Sequence, residues 1–316
     1  MKRKTETSEL IFRIVAYFFL IVFSIMCIYP LIYALASAFS SYEAVENSKV
    51  VLWPLIGNSS DGYSLGVSIN AFSYIVKNSQ FWTSYSNTLF LAVVGTIWCL
   101  IYSVLGAYAL SKKRLMGRHG WNFFLVFTMW FSAGIIPTYL NYMNTADVLS
   151  AMGISDLKWT VVIAMGTNAQ YMILLRNSFE GVPSEIEEAA RIDGATELQV
   201  LMKVFIPMSK ATIATITLFF AISRWNGYFW AQKVMESQPY SWPVQVYIRY
   251  YIDEYTYLTN KGDGLVDGSF YGNEEGISAL AAVYAMVVCA VIPILIIYPF
   301  IQKYFAKGVN MGGVKE

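Results

Sequence analysis

Long apolar runs, broken by short charged segments, set the pattern of this chain. A helix that crosses a membrane needs roughly 20 mostly apolar residues to span about 30 Å of hydrocarbon. Six stretches meet that requirement: residues 11–38, 87–110, 121–142, 159–175, 213–230 and 277–301. The first contains FRIVAYFFLIVFSIMCIYPLIYALA, and the second reads NTLFLAVVGTIWCLIYSVLGAYAL. Asn168 and Gln170 interrupt the fourth. The pattern predicts an all-α integral membrane protein with six transmembrane helices.

Composition supports the same reading. Hydrophobic residues make up 56% of the chain and charged residues only 14%, with mean hydropathy +0.47; an ordinary globular domain carries about 25% charged residues. The opening run is too long for the apolar core of a signal peptide and has no small-residue cleavage site, so it is expected to be a retained span. Cys27, Cys99 and Cys289 all fall within spans and read as small packing residues, not as a disulfide framework. His119 is the sole histidine, which argues against a histidine metal site or triad, and no phosphate-binding GxxxxGK[ST] loop occurs.

Lysine and arginine placement gives the orientation. One side carries Lys2, Arg3, Lys4 and Arg13, then Lys112, Lys113, Arg114 and Arg118, then Arg176, Arg191, Lys203 and Lys210, and finally Lys303, Lys307 and Lys315. The other side has longer loops but only Lys49, Lys77, Lys158, Lys233, Arg249 and Lys261. Both termini, and the segment between spans four and five, are therefore expected in the cytoplasm.

That segment holds EEAARIDGAT, residues 187–196. Ser184 and Glu187 fit the S-x-x-E capping box of a helix start. Glu185, Glu187 and Glu188 crowd the first turn, where the helix dipole favours negative charge. Ala189 and Ala190 favour helix, Gly194 turns the chain, and a second short helix runs from Thr196 to about Val204, before Pro207. Ile186, Ala189 and Ala190 form a small apolar face. Such a unit suits a groove on a partner; a solvated loop with helical turns is the plainer alternative.

The stretch resembles the EAA motif of permease subunits in ABC importers: E-A-A, three residues, G, nine residues, I-x-L-P. Glu188, Ala189 and Ala190 are followed by Gly194 and then by Val204, Phe205, Ile206 and Pro207, with Val204 and Ile206 departing from the pattern. DGAT, followed by Trp225–Asn226 in the next span, resembles the carbohydrate, maltose-type branch. The run SKATIATITLFFAISRWNGYFWA is similar to the subgroup serving complex oligosaccharides and polysaccharide fragments, with Ala211 where relatives have proline. The end GVNMGGVKE resembles the branch's G-x-x-x-G-A-V-K-G tail, Gly313 and Glu316 departing. The likeness is weakest over residues 41–81 and 233–275.

The resemblance implies a type I ABC importer permease fold in a bacterial plasma membrane. Its parts would be residues 1–79 (tail, first span and outer segment), a core at 80–302 with a coupling helix at about 184–206, and a tail at 303–316. Glu188, Ala189, Ala190, Arg191, Asp193, Gly194 and Pro207 would couple to the ATPase. Partners would be a second homologous permease, two ATPase subunits, an extracellular solute-binding protein, an oligosaccharide and membrane lipid, with no nucleic acid. The chain itself would bind no cofactor; ATP and Mg would sit on the partner ATPase.

Arg224, Trp225, Asn226 and Tyr228, with Asn168, Gln170 and Tyr171, are candidates for the substrate path. Arg and Asn hydrogen-bond sugar hydroxyls, and Trp or Tyr offers a flat face to a sugar ring. A snorkelling arginine with interfacial aromatics, and interhelical hydrogen bonds, remain alternatives. A secondary transporter would call for carboxylates within the spans, and the clear spans have none. An enzyme would need paired acids; Asp253 and Glu254 are merely adjacent in a polar stretch. A permease for another small solute is the remaining alternative.

Overall fold

The computed structural model describes residues 7–131, 133–166, 168–260 and 279–308. The expected outer loop at 262–275, Ile277 and the tail from 309 onward lie outside the described residues. In chain order the elements are α1 (Thr7–Ala38), α2 (Tyr42–Glu46), β1 (Leu55–Asn58), β2 (Gly62–Leu65), α3 (Asn70–Lys77), α4 (Ser79–Ser111), α5 (Arg118–Trp130), α6 (Ile135–Ala151) and α7 (Leu157–Ala164). There follow α8 (Ala169–Glu180), α9 (Ser184–Ile192), α10 (Glu197–Val200), a π turn (Leu201–Phe205), α11 (Ile206–Met208) and α12 (Lys210–Asn226). The chain continues through α13 (Phe229–Val234), a 3-10 turn (Pro239–Ser241), α14 (Val244–Asn260) and α15 (Ala279–Gly308).

Among the described residues, Glu9–Ala38, Ser79–Ser111 and Leu280–Pro299 are long and apolar enough to cross a membrane. Two bent pairs bring the number to five if each is one span: α5 with α6, bent by 113°, and the Glu197–Met208 stretch with α12, bent by 87°. Several expected boundaries are corrected. The second span begins at Ser79, not 87; the last lies within α15, whose apolar part is Leu280–Pro299 and whose helix runs on to Gly308. The third is divided between α5 and α6, next to Gly134 with φ +83°. The fourth is divided between α7 and α8, where Gly166 has φ +53° and Asn168 caps α8. Glycine takes left-handed φ at little cost, and an Asn cap starts a new helix, so both breaks are encoded locally. The fifth span stops at Asn226, before Gly227.

Two compact units account for the chain: Met1–Ser79 with Ile248–Ile292, and Gln80–Tyr247 with Pro293–Glu316. In the first, α1 exposes apolar side chains all round its circumference over most of its length, and only its end, at Ala34, Ala36 and Ala38, is buried. A helix apolar on every face has lipid as its natural solvent. Near its end the Tyr33 ring meets Tyr284 of α15 edge-on at 5.5 Å. β1 and β2 form an antiparallel hairpin pairing Leu55 with Leu65 and Asn58 with Gly62, so the fold is not wholly α. The turn is written in NSSDG: Asn58 Oδ1 accepts from the backbone N–H of Ser60 and Asp61. A Cβ on Gly57, at φ +122°, would fall 2.1 Å from the Gly62 carbonyl oxygen.

The second unit packs around α4, which passes two apolar clusters. One joins Cys99, Val104 and Ala107 of α4 to Leu175 and Phe179 of α8, to Val200, Leu201 and Phe205, and to Ile216 and Phe220 of α12. The other joins Leu91 of α4 to Tyr142 of α6, Val161 and Val162 of α7, and Ala231 and Val234 of α13. The buried face of α4 is lined by small residues, among them Ser84, Thr88, Gly95, Thr96, Cys99, Ser103 and Ala107. In lipid, where apolar contact alone gives little driving force, such residues let neighbouring backbones approach closely.

Candidate functional site

The EEAARIDGAT segment folds as the expected pair of short helices with a turn between them. α9 runs to Ile192, and Gly194 turns with φ +81°. Its neighbours close the turn, with the N–H of Gly194 donating to Arg191 O and that of Ala195 to Ala190 O, both at 3.0 Å. The capping box lies elsewhere than expected. Ser184 sits inside α9, whose cap residue is Pro183 and makes no side-chain cap bond. The reciprocal box belongs to α10: Thr196 N–H donates to Gln199 Oε1 at 2.8 Å, and Gln199 N–H to Thr196 Oγ1 at 3.3 Å. Pro207 lacks the N–H that an α-helix needs, and the preceding turn widens to a π turn, in which Ile206 N–H reaches Leu201 O.

Side chains of the segment divide into two faces. Ile186, Glu188, Ala189, Ile192, Asp193 and Gly194 are exposed, Ile192 to 86%. Ala190 and Ala195 turn inward against the cluster around Phe205. The expected apolar face of Ile186, Ala189 and Ala190 is therefore corrected: Ala190 belongs to the packed side, and Ile192 takes its place outside.

The inner face is held by charge. Lys112, just past the end of α4, is only 8% exposed and reaches Glu187 Oε2 at 2.8 Å. Its ammonium also lies 3.6 Å from the Phe205 ring centroid and 4.1 Å from that of Tyr108. Burial pushes the Lys112 ammonium down from the ordinary lysine range, and Glu187 opposes that shift. Arg191 pairs with Glu187 and, at 3.2 Å, with Glu197. Glu197 also pairs with Arg114 and accepts from the Tyr108 hydroxyl at 2.9 Å. The Arg114 guanidinium, helped by Tyr108 and Arg191, holds the Glu197 carboxyl below its usual range. Arg118 pairs with Glu180. A concave space of about 580 Å³ opens beside these pairs, lined by Lys112, Lys113, Arg118, Glu180 and Glu188 among others.

The span-five candidates do not form one constellation. Arg224 is 6% exposed, and its guanidinium donates to Val161 O at 3.2 Å, to Cys99 Sγ at 2.8 Å and to Met165 Sδ. It is neither snorkelling nor open to a sugar; it ties α12 to α7 and α4. Gly95 of α4 leaves room for it, since a Cβ there would lie 3.1 Å from Arg224 Nε. Trp225 is buried edge-on to Tyr85 at 6.0 Å, and its indole N–H has no acceptor among the described residues. Asn226 and Tyr228 are exposed. Asn168 spends its side-chain oxygen capping α8, accepting from Gln170 and Tyr171 N–H. Gln170 is exposed, and Tyr171 packs on Phe219 and Phe220 with ring centroids 5.4 and 5.0 Å away.

Residues 121–311 match the family of binding-protein-dependent transport system inner membrane components. The chain belongs to this family. As a permease it is a transport component, not an enzyme. It is 35% identical to the polygalacturonan/rhamnogalacturonan transport system permease protein YtcP of Bacillus subtilis (strain 168), over 96% of this chain and 98% of that one. It is 32% identical to Protein LplC of the same organism, over 91% of this chain and 89% of the relative. Among solved structures it matches a crystal structure of a bacterial ABC transporter involved in the import of the acidic polysaccharide alginate. That match has TM-score 0.80 and 39% identity and covers 95% of this chain and 99% of the other.

One polar cluster of the permease escaped the sequence reading. Asp156 caps α7, accepting from Lys158 N–H at 3.0 Å and from the Ser241 hydroxyl at 2.8 Å. The Lys158 ammonium lies 3.1 Å from Asp156 and donates at 3.0 Å to Asn87 of α4. Asn87 in turn donates to the Tyr240 and Trp242 carbonyls. A cap signal at Asp156, directly before an apolar run, was available in the sequence; the distant partners were not. Burial pushes the Asp156 carboxyl up, but the Lys158 N–H, the Ser241 hydroxyl and the Lys158 ammonium outweigh it and hold it below the usual range. A carboxyl depressed by folding stabilises above its unfolded value, about 3.9, and loses that contribution as pH falls through the folded value. Asp156→Asn is therefore expected to lower the melting temperature at pH 7, with the gap to wild type closing below about pH 4. A gap that stays constant between pH 7 and pH 3 would show that the ionised carboxylate is not what matters.

Proposed function

We propose that this permease is one of two homologous membrane subunits of an ATP-driven importer for acidic oligosaccharides or polysaccharide fragments. A solute-binding protein delivers the cargo, and two ATPase subunits hold the ATP and Mg. The proposed topology has six crossings, with α7 and α8 together making the fourth, and both termini in the cytoplasm of a bacterium. The lysine and arginine asymmetry supports that orientation. The observation that carries the coupling role is the two-faced EAA segment. Ile186, Ala189 and Ile192 are presented outward as a docking face, while Glu187, Ala190 and Arg191 bind the segment to the bundle. The acidic cargo rests on the relatives: alginate is named as an acidic polysaccharide, and polygalacturonan is a polymer of uronic acid. Asn226 and Tyr228 are the proposed substrate-path residues, and Arg224, Trp225, Asn168 and Tyr171 hold the path in shape.

The test is purification of the tagged permease in mild detergent, followed by reconstitution. An ATPase and a second permease are expected to co-elute. ATP-dependent uptake in proteoliposomes is expected to prefer oligouronides over neutral maltodextrins. Elution alone, with uptake driven by an ion gradient, would replace this reading with a secondary transporter. Equal uptake of neutral glycans would leave the importer and remove the acidic cargo.

A further inference from the structure

Movement of the docking helix α9 has two routes into the membrane bundle. The covalent route passes through α10, the π turn, Pro207 and an 87° bend before reaching α12. A π turn and a sharp bend are the places where a helical rod yields. The non-covalent route is the contact with the end of α4 and the charged residues directly after it. It grips both sides of the Gly194 turn: Glu187 before it through Lys112, and Glu197 after it through Arg114 and the Tyr108 hydroxyl. α4 runs unbroken for 33 residues, roughly 50 Å at 1.5 Å per residue. Along the way it passes Arg224 at Gly95 and Cys99, and near its other end Asn87 holds Lys158 and the Tyr240–Trp242 backbone.

We propose that α4 is the member that receives the stroke of the docking helix, with Lys112 as the positioning residue at the joint. Its ammonium is fixed from three directions, by Glu187 of α9, by the Phe205 ring of the π turn and by the Tyr108 ring of α4 itself. Three elements thus converge on one buried cation. Displacing α9 without α4 would strip that buried cation of its carboxylate, which is strongly unfavourable. Moving the two together keeps every contact. The docking face of α9 is turned away from this joint, so ATPase binding and stroke transmission reside in different side chains. The proposal rests on the importer reading above.

The experiment uses the complete transporter in proteoliposomes, with wild type, Lys112→Met and the exchange Lys112→Glu/Glu187→Lys. ATP-dependent uptake by wild type tests the importer reading separately. Lys112→Met is expected to keep the ATPase in the purified complex. Uptake, and the stimulation of ATP hydrolysis by ligand-loaded binding protein, are expected to fall at least tenfold together. The exchange restores opposite charges across the joint and is expected to recover a third or more of both. Should Lys112→Met fail to assemble, Tyr108→Phe removes a single hydroxyl from the Glu197 contact and is expected to lower stimulated hydrolysis severalfold in an intact complex. Wild-type uptake by Lys112→Met, or loss of uptake that the exchange does not recover while the complex stays assembled, would overturn the proposal, as would unchanged stimulation in Tyr108→Phe.

Discussion

Permease carrying Gly194→Val is expected to elute with less than a tenth of the ATPase that accompanies wild type. Gly194 has φ +81°, and a Cβ built on it meets nothing within 4 Å. The penalty is therefore one of backbone conformation and not of collision. A left-handed residue with a Cβ costs about 1–2 kcal/mol, and a β-branched one is a genuine outlier. The turn relaxes by giving up its closing bonds, Gly194 N–H to Arg191 O and Ala195 N–H to Ala190 O, which set the direction of α9 against α10. Once the proposed docking face has lost its fixed direction it must regain it on binding, and each 1.4 kcal/mol of that cost is a factor of ten in affinity. Asparagine tolerates left-handed φ, so Gly194→Asn is expected to keep more than half of the ATPase. Quantitative gel analysis of the eluted complex separates the cases; equal retention by valine and asparagine would show that the turn geometry plays no part in docking.

The second large effect is expected at the middle of α4. In Gly95→Leu the new Cβ would lie 3.1 Å from Arg224 Nε and 3.2 Å from Cδ, and the branched side chain beyond it needs further room beside Arg224. Arg224 must then withdraw from Val161 O and Cys99 Sγ. Overpacking costs about 1–3 kcal/mol, and a lost hydrogen bond to a charged group about 1.5–3 more. For a domain of this size the sum corresponds to a fall in melting temperature on the order of 10 °C. Gly106 supplies the control. A Cβ there meets Met172 Cε at 2.8 Å, the free end of a flexible side chain, so Gly106→Ala is expected to be nearly silent. Thermal unfolding of the purified transporter, followed by tryptophan fluorescence, distinguishes the two; a Gly95→Leu protein melting within about 2 °C of wild type would show that Arg224 is not confined as described.

Period and composition made the long helices legible. α1 and α4 needed nothing beyond an apolar run of sufficient length, and α9, the Gly194 turn and the Pro207 break followed from single residues with strong backbone preferences. The divided spans were harder, because hydropathy averages across a glycine: Gly134 sits in a run that stays apolar on both sides, and at Gly166 only Asn168 and Gln170 mark the break. The site was half visible. Motif spacing found the segment, but not which face turns inward, since Ala189 and Ala190 are chemically alike and only tertiary packing separates them. Arg224 stands out as an ionisable residue in an apolar run, yet its partners, a carbonyl and two sulfurs from distant helices, leave no trace in local sequence. The same holds for Lys112, one basic residue in a run of three whose neighbours stay at the surface.

The contrast between α1 and α4 also bears on the order in which the protein is made. α1 has its backbone bonds satisfied internally and is uncovered over most of its length, so it can settle in lipid as soon as it leaves the ribosome. α4 cannot reach its final state so early. Asn87 waits for carbonyls that lie 153 and 155 residues further along the chain, at Tyr240 and Trp242. At about 5–20 residues per second, that wait is roughly 8–30 s. Through it the Asn87 side-chain N–H groups stand without their intended carbonyls, although Lys158, 71 residues on, arrives sooner.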